Sequence, residues 1–331
     1  MRPFRLLRAV AATISAIAAI ACLPAQAQDY PNRPVNFITP AAAGGSPDVV
    51  SRIVADKLSQ LWKQQAVIVN RPGAGGLIAA QAASASNIER DGYTLYLTQA
   101  STFTVLPIMQ EGKMTVNLQT AFTPIGMVGE QPIGLAVNKD VPVNSVAELI
   151  AYAAMSKEPV LFAASNRGGQ SHLTGELFRT LGKANISFVH AAGAAASLND
   201  VIAGRIPIMF EGLAGLSPAI QSNSVKVLGI AAAKRLPNLP DLPTLNETVP
   251  GVVSSGWIVM MAPSGVPDAI IRKLNADLRQ VVAMPDVQAR FQQLGTYTRD
   301  LTPEQTGEFV RSEEKLWWPI VREINRAQGT K

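Results

Sequence analysis

The chain has 331 residues, of which 47% are hydrophobic and 16% are charged, and its formal net charge is +5. One cysteine and two histidines are too few for a disulfide framework or a metal site with several cysteine or histidine ligands. The length exceeds the roughly 250–300 residues at which a single hydrophobic core stops growing, so we expect two domains.

Residues 1–27 have the pattern of a secretory signal peptide. Three arginines and no acidic residue accompany an apolar run over residues 9–23, and a small-x-small cleavage site ends at Ala27. Cleavage there would leave 26 basic and 24 acidic residues, a net charge of only +2, and would remove Cys22. A lipoprotein would instead retain Cys22 as an acylated first residue. We favour export of a soluble protein to the periplasm, because a good cleavage site follows Cys22 and no later apolar run is long enough to span a membrane.

Short β-branched runs then alternate with amphipathic stretches, which is typical of an α/β fold with a mainly parallel sheet. The first series predicts strands over residues 35–39, 66–69 and 93–97 and helices over residues 46–62 and 77–85. Ser46 is a candidate N-cap of the first helix. Pro47 and Asp48 both suit a first helical turn.

A second series begins near Ile133. It predicts helices over residues 146–154, 171–181 and 195–203 and strands over residues 160–164, 186–189, 206–210 and 227–231. Four prolines in residues 236–251 exclude a regular helix or central strand and indicate an extended connection. A strand over residues 257–261 follows, and then three helices with no strand between them, over residues 268–282, 285–294 and 303–326.

These last helices need an existing sheet to pack on. We therefore expect a discontinuous domain 1, made of residues 28–127 and 254–331, with residues 128–253 inserted as domain 2. The chain would then cross twice between the domains.

Two glycine-bearing loops, residues 40–46 and 165–171, each follow a predicted strand and precede a predicted helix. Backbone N–H groups at the start of a helix are unpaired, and the helix dipole favours negative charge there. Ligands of open α/β sheets bind beyond the carboxyl ends of the strands. If each loop belongs to a different domain, the two helix N-termini can hold one carboxylate between them. Neither loop has a phosphate-binding pattern.

Several side chains near these loops have more than one interpretation. Arg167 is the fixed positive charge of the second loop, and either contact with a ligand carboxylate or exposure to solvent would suit it. Ser171 and His172 are adjacent on a helix and point about 100° apart, so a capping serine and a packing or hydrogen-bonding histidine are favoured over a nucleophile and base. His190, at a strand end, is favoured as structural over ligand-binding.

The mature chain resembles the Bug (Bordetella uptake gene) family, the extracytoplasmic solute-binding proteins of tripartite tricarboxylate transporters. The resemblance covers essentially the whole mature chain, and its motifs occur in the family's order and spacing. They are Asn-Arg-Pro-Gly-Ala-Gly-Gly at residues 70–76, Asp-Gly-Tyr-Thr-Leu at 91–95, Ser-His-Leu at 171–173, Gly-Glu-Leu-Phe at 175–178, Lys-Arg at 234–235 and Leu-Pro-Asp-Leu-Pro-Thr at 239–244.

This resemblance implies a type II periplasmic-binding-protein fold, an α/β fold of two domains joined by two crossover connections, with a ligand cleft between them that closes like a hinged clamp. It also implies a small carboxylate ligand, integral-membrane transporter subunits as transient partners, and no cofactor, metal, nucleic acid or catalysis. The implied ligand-binding residues are Ala42, Gly44, Gly45, Ser46, Asp48, Ser101, Ser165, Arg167, Gly168, Gly169, Gln170, Ser171 and Ala191.

The chain departs from the family pattern at three places near the cleft. Ala41 replaces a phenylalanine, Arg167 and Gly169 replace an asparagine and a threonine, and residues 189–193 lack a large aromatic residue and a lysine. We therefore expect a roomier and more apolar pocket that accepts a bulkier carboxylate, such as an aromatic one.

Two alternatives stay open. A sensor of the same fold would dock its closed form on the extracytoplasmic domain of a signalling kinase, and only the neighbouring genes would distinguish it from a transport receptor. A periplasmic hydrolase is less favoured, because it would need Ser, His and Asp to converge in the cleft and the sequence has no GxSxG motif.

Overall fold

The computed structural model describes residues 30–165, 167–189, 193–236 and 239–327. Nine strands lie in this part of the chain: β1 Val35–Thr39, β2 Ala66–Asn70, β3 Thr94–Gln99, β4 Phe122–Asn138, β5 Val160–Ala164, β6 Ile186–Phe188, β7 Ile208–Gly212, β8 Val225–Ile230 and β9 Ser255–Pro263. The longer helices are α1 Ser46–Trp62, α2 Leu77–Ser84, α6 Val146–Met155, α7 Gln170–Leu181, α8 Ala194–Ile202, α9 Leu213–Gln221, α11 Asp268–Val282, α12 Pro285–Gln293 and α13 Pro303–Ala327. Four short α-helices, α3 Ala100–Thr104, α4 Leu106–Met109, α5 Leu118–Ala121 and α10 Leu245–Thr248, and one 3-10 turn at Ala74–Gly76 complete the order.

One strand, β4, links two sheets. Its first part, from Phe122 to Pro132, pairs antiparallel with β9, which in turn pairs with β3 beside the parallel strands β1 and β2. Its second part, from Ile133 to Asn138, pairs antiparallel with β7 and β8, and β5 and β6 extend the β7 side in parallel. The predicted α/β fold of periplasmic-binding type is confirmed.

The chain returns from the second sheet beside the point where it left the first. The Ser254 N–H donates to the carbonyl of Ala231 at 2.8 Å, and the Ser254 carbonyl accepts from the N–H of Ile133 at 3.3 Å. The two crossings are thus adjacent, as a hinge requires. The domain boundaries after residues 127 and 253 stay a prediction.

The first sheet carries apolar clusters on both of its faces. Helix α1 buries Val50, Val54 and Leu58 against β1 and helix α11, because these residues share one helical face. Helices α2 and α13 pack around Tyr96 and Trp257 on the other face. Two further clusters cover the second sheet. Among the described residues, no helix has the length and apolarity to cross a bilayer.

Two predicted helix caps are wrong. Gly45 and Gly169 are the N-caps of α1 and α7, and both have extended backbones, with φ of −74° and −78°. Ser46 is therefore the first residue of α1, and its hydroxyl accepts the N–H of Gly215 at 2.8 Å instead of capping its own helix. Ser171 lies one residue inside α7. In both loops the residue before the first helical turn is a glycine, so no side chain caps either helix.

Helix α9 was not predicted from the sequence. Pro218 and Gly215 lie inside it and lower its local helix propensity, but burial of Leu213, Leu216 and Ala219 against the second sheet compensates. The proline-rich connection contains one short helix, α10, which the prediction excluded. Thr244 and Glu247 form a reciprocal capping box that starts it.

Candidate functional site

The first glycine loop joins β1 to helix α1. Gly44 has φ of +78°, a conformation that side-chain-bearing residues rarely adopt, and so the chain can turn into the helix there. The turn leaves Gly45 and Ser46 at the helix N-terminus, where the positive end of the helix dipole attracts negative charge. The N–H of Gly45 itself donates to the carbonyl of Ala42 at 3.1 Å.

Asp48 holds this loop in place from within. Its carboxylate accepts the Gly44 N–H at 3.0 Å, the Arg52 Nε at 3.0 Å and the Asn70 Nδ2 at 2.8 Å. Burial by itself raises the pKa of Asp48, but the hydrogen bonds from Arg52, Asn70 and Gly44 outweigh it and lower the pKa below its usual value. Asp48 is therefore ionised, and it holds the loop in shape without lining the cavities.

The second glycine loop joins β5 to helix α7. Gly168 has φ of +74°, and its N–H donates to Nδ1 of His172 at 3.1 Å. Burial lowers the pKa of His172 to about 4, helped by the charge of Arg167 and opposed by Glu176. The imidazole is thus neutral at neutral pH and acts as an acceptor that fixes the loop. The interpretation of His172 as a hydrogen-bonding residue is confirmed.

The N-termini of α1 and α7 border one small cavity, the inner cavity, with a volume of about 40 Å³. A cavity of this size holds two or three water molecules, or a group as small as one carboxylate. Its lining comprises Ala42, Gly45, Ser46, Pro47, Gln99, Ala100, Ser101, Gln131, Ile133, Ser165, Gly169, Gln170, Ser171, Glu211, Gly256, Trp257 and Ile258.

A second and larger cavity, the outer cavity, shares Gln99, Ser101 and Gly169 with the inner one and has a volume of about 440 Å³. The chain of residues 73–76 and the side chains of Leu106 and Met109 line it. Arg167 also lines it, and its guanidinium lies 5.0 Å from the ring centroid of Phe188. The site thus has a narrow inner end and a wider outer end.

Glu211 brings a buried carboxyl group to the inner cavity. It lies at the carboxyl end of β7, it is only 1% exposed, and its carboxyl group accepts the Gly212 N–H at 2.9 Å and the Ser165 hydroxyl. Burial raises the pKa of Glu211, and hydrogen bonds from Ser165, Gly212 and both donors of Ser46 oppose that shift.

The structure brings together most of the residues that the sequence predicts for the site. The inner cavity is lined by Ala42, Gly45, Ser46, Ser101, Ser165, Gly169, Gln170 and Ser171, and the outer cavity by Ser101, Arg167, Gly168 and Gly169. Gly44 and Asp48 line neither cavity and shape the first loop instead. Ala191 and His190 lie outside the described residues. Whether these residues contact ligand stays a prediction.

The sequence prediction missed Gln99, Gln131, Glu211 and Trp257 in the cavity wall. The rule that ligands bind beyond the carboxyl ends of strands could have found Gln99, the last residue of β3, and Glu211, the next-to-last residue of β7. Gln131 and Trp257 lie on antiparallel strands, and no local pattern in the sequence marks them.

Comparison with known proteins gives one consistent family. The family model described as "Tripartite tricarboxylate transporter family receptor" matches residues 50–326. Protein BugT of Bordetella pertussis is 32% identical over 318 residues, which cover 96% of this chain and 97% of BugT.

Solved structures agree with that match. The periplasmic binding protein BugD is 30% identical, with a TM-score of 0.82 over 89% of this chain and 99% of that one. A protein of R. palustris solved with adipate is 29% identical, with a TM-score of 0.83 over 91% and 98% of the two chains. MatC from Rhodopseudomonas palustris, solved with malate, is 28% identical, with a TM-score of 0.79 over 88% and 100%.

Proposed function

Because the chain belongs to the family of tripartite tricarboxylate transporter receptors, we propose that it captures a small carboxylate in the periplasm and delivers it to the membrane subunits of such a transporter. Residues 1–27 would direct export and be removed after Ala27. Residues 28–127 with 254–331, and residues 128–253, would form the two domains that close on the ligand.

One observation carries this proposal. Helices α1 and α7, of 17 and 12 residues, follow strands β1 and β5, which lie in different sheets. The N-termini of both helices border the inner cavity. Each N-terminus presents the positive end of a helix dipole, and Ser101 and Ser171 line the cavity beside them. A carboxylate placed there would touch both halves of the protein, so binding would favour the closed arrangement.

The outer cavity supports a ligand that extends beyond one carboxylate. At about 440 Å³ it has room for a chain or ring attached to the carboxylate held in the inner cavity. Leu106 and Met109 offer such a ligand apolar contact. The guanidinium of Arg167 offers a partner for a second carboxylate or for an aromatic ring. This favours a bulky dicarboxylate or an aromatic acid. The relatives solved with adipate and malate also carry carboxylates.

The position of His172 supports binding without a chemical step. Its Nδ1 accepts a backbone N–H, and its Nε2 faces the carboxylate of Glu176 at 3.8 Å. Neither nitrogen is therefore directed to a serine hydroxyl among the described residues, as a hydrolase triad would need.

Isothermal titration of purified residues 28–331 with aliphatic and aromatic mono- and dicarboxylates tests the function. We expect saturable binding of at least one acid, and its loss in Gly169→Val, because the added side chain narrows the inner cavity at the N-cap of α7. The control Ala151→Val places a valine on the exposed face of α6 and should bind like the unaltered protein. Failure of every acid to bind, or equal binding by Gly169→Val, would contradict the proposal.

A further inference from the structure

Glu211 already occupies several of the hydrogen-bond donors in and beside the inner cavity. Its Oε1 accepts the N–H of Gly212 at 2.9 Å, and its Oε2 accepts the hydroxyl of Ser165. The N–H and the hydroxyl of Ser46 also donate hydrogen bonds to this carboxyl group. The hydroxyl hydrogen of Ser46 is free to point there, because its oxygen accepts from the N–H of Gly215. Ser46, at the end of the first glycine loop, and Ser165, at the start of the second, are therefore both bound to this one carboxyl group.

Among the described residues, no lysine, arginine or histidine forms an ion pair with Glu211. Helix α9, which follows directly, has no charged side chain in residues 213–221. On α1, Asp48 is paired with Arg52 at 3.0 Å and faces the other side of its loop. On β4, Glu130 is paired with Arg299 at 2.7 Å.

The charged side chains of the second loop and of helix α7 also interact with groups other than Glu211. Glu176 is paired with Arg179 at 2.9 Å, and the neutral His172 accepts the N–H of Gly168. Arg167 stacks on Phe188 and lines only the outer cavity. A second carboxylate in the inner cavity would thus meet a buried carboxylate with no cation between them.

Gln170 provides an independent observation at this cavity, a buried acceptor without a hydrogen-bond donor. It lines the cavity, is 7% exposed, and its Nε2 donates to the hydroxyl of Ser254 at 2.8 Å. Its Oε1 is buried without a partner. A buried acceptor without a donor is unfavourable, and a proton brought in with the ligand could satisfy either this oxygen or a neighbouring carboxylate.

We propose that capture of a carboxylate in the inner cavity takes up one proton from solvent, which the ligand carboxylate and Glu211 then share. This inference rests on the proposed function. Two carboxylates in a cavity of about 40 Å³ cannot both stay ionised without a cation, and one proton turns their repulsion into a short O–H···O⁻ hydrogen bond. The raised pKa of Glu211, caused by burial, already lowers the cost of adding that proton.

Titration calorimetry with adipate in phosphate and in Tris buffer tests the proposal directly. The difference in binding enthalpy between the two buffers gives the number of protons taken up. We expect a value approaching one at pH values between the pKa values of the free carboxyl groups and the higher pKa of the ligand-bound pair. Over that same range the affinity should fall about tenfold per pH unit, because each unit lowers the proton concentration tenfold, and above it the affinity should level off.

The substitution Glu211→Gln tests whether Glu211 is the residue that shares the proton with the ligand. Its amide donates a hydrogen bond in place of the proton, so adipate should still bind, without proton uptake and without the pH slope. Glu176→Gln, which removes another buried carboxylate close to the site, should keep both the proton uptake and the pH dependence of the affinity. Proton uptake of zero in the unaltered protein, or an equal slope in Glu211→Gln, would overturn the inference. Absence of adipate binding at every pH in all three proteins would contradict carboxylate capture itself.

Discussion

Replacement of Gly175 by alanine has two effects of opposite sign on the stability of the fold: higher helix propensity and a steric clash. Gly175 lies inside helix α7, where alanine is normally better than glycine by about 1 kcal/mol. A Cβ at this position would lie 2.4 Å from Cε2 and 2.8 Å from Cζ of Phe162, about 1 Å inside an ordinary contact. Phe162 is fully buried, with the rings of Phe188 and Phe210 about 5.5 Å away. Because the ring cannot move aside freely, we take the upper part of the 1–3 kcal/mol range for overpacking.

The net expectation is that Gly175→Ala lowers the free energy of unfolding by about 1–2 kcal/mol, or the melting temperature by about 2–6 °C. Urea and thermal unfolding, followed by circular dichroism, measure it. Gly307→Ala is the matched control. Its Cβ would meet only the flexible end of Arg311 at 3.2 Å and Pro124 at 3.4 Å, so it should be neutral or stabilising by about 0.5–1 kcal/mol. Equal stabilisation by both substitutions would refute the packing argument.

Two further predictions concern the glycine loops. His172 has a pKa of about 4 when folded and about 6.5 when unfolded, so its contribution to stability is complete above about pH 6.5 and decreases by about 3 kcal/mol as the pH falls through 4. His172→Asn keeps an acceptor for Gly168 and should reduce this acid sensitivity, measured by urea unfolding at several pH values; an unchanged acid profile would contradict it. Asp48→Asn loses the ionic contact with Arg52 and should cost about 1–2 kcal/mol and weaken carboxylate binding several-fold in titration calorimetry. Unaltered affinity would show that the first loop needs no such support.

Local patterns in the sequence were sufficient for most elements of the fold. Helix α1 and helix α11 were predicted with the bounds that the structure has, because their apolar residues recur on one face and Pro or Asp marks the first turn. The strands that begin at Val35, Ala66 and Val160 were also predicted, since short β-branched runs end at loops or at changes of period.

Contacts between distant residues set the limits of that prediction. Ser46 has the residue type of an N-cap, but its hydroxyl binds Gly215, which is 169 residues away, and Gly45 takes the cap position. Helix α9 forms despite Pro218 because its apolar face is buried. The glycine loops themselves were predictable, whereas the carboxyl group of Glu211 between them depends on how β7 meets α1 in three dimensions.

The most direct test of carboxylate capture compares acids with uncharged molecules of the same length. Titration calorimetry of residues 28–331 with adipate and with hexane-1,6-diol separates the charged group from the chain. If the helix N-termini around the inner cavity hold an anion, adipate binds saturably and the diol does not. Equal binding of the two molecules, or binding of the diol alone, would contradict the central role of those N-termini.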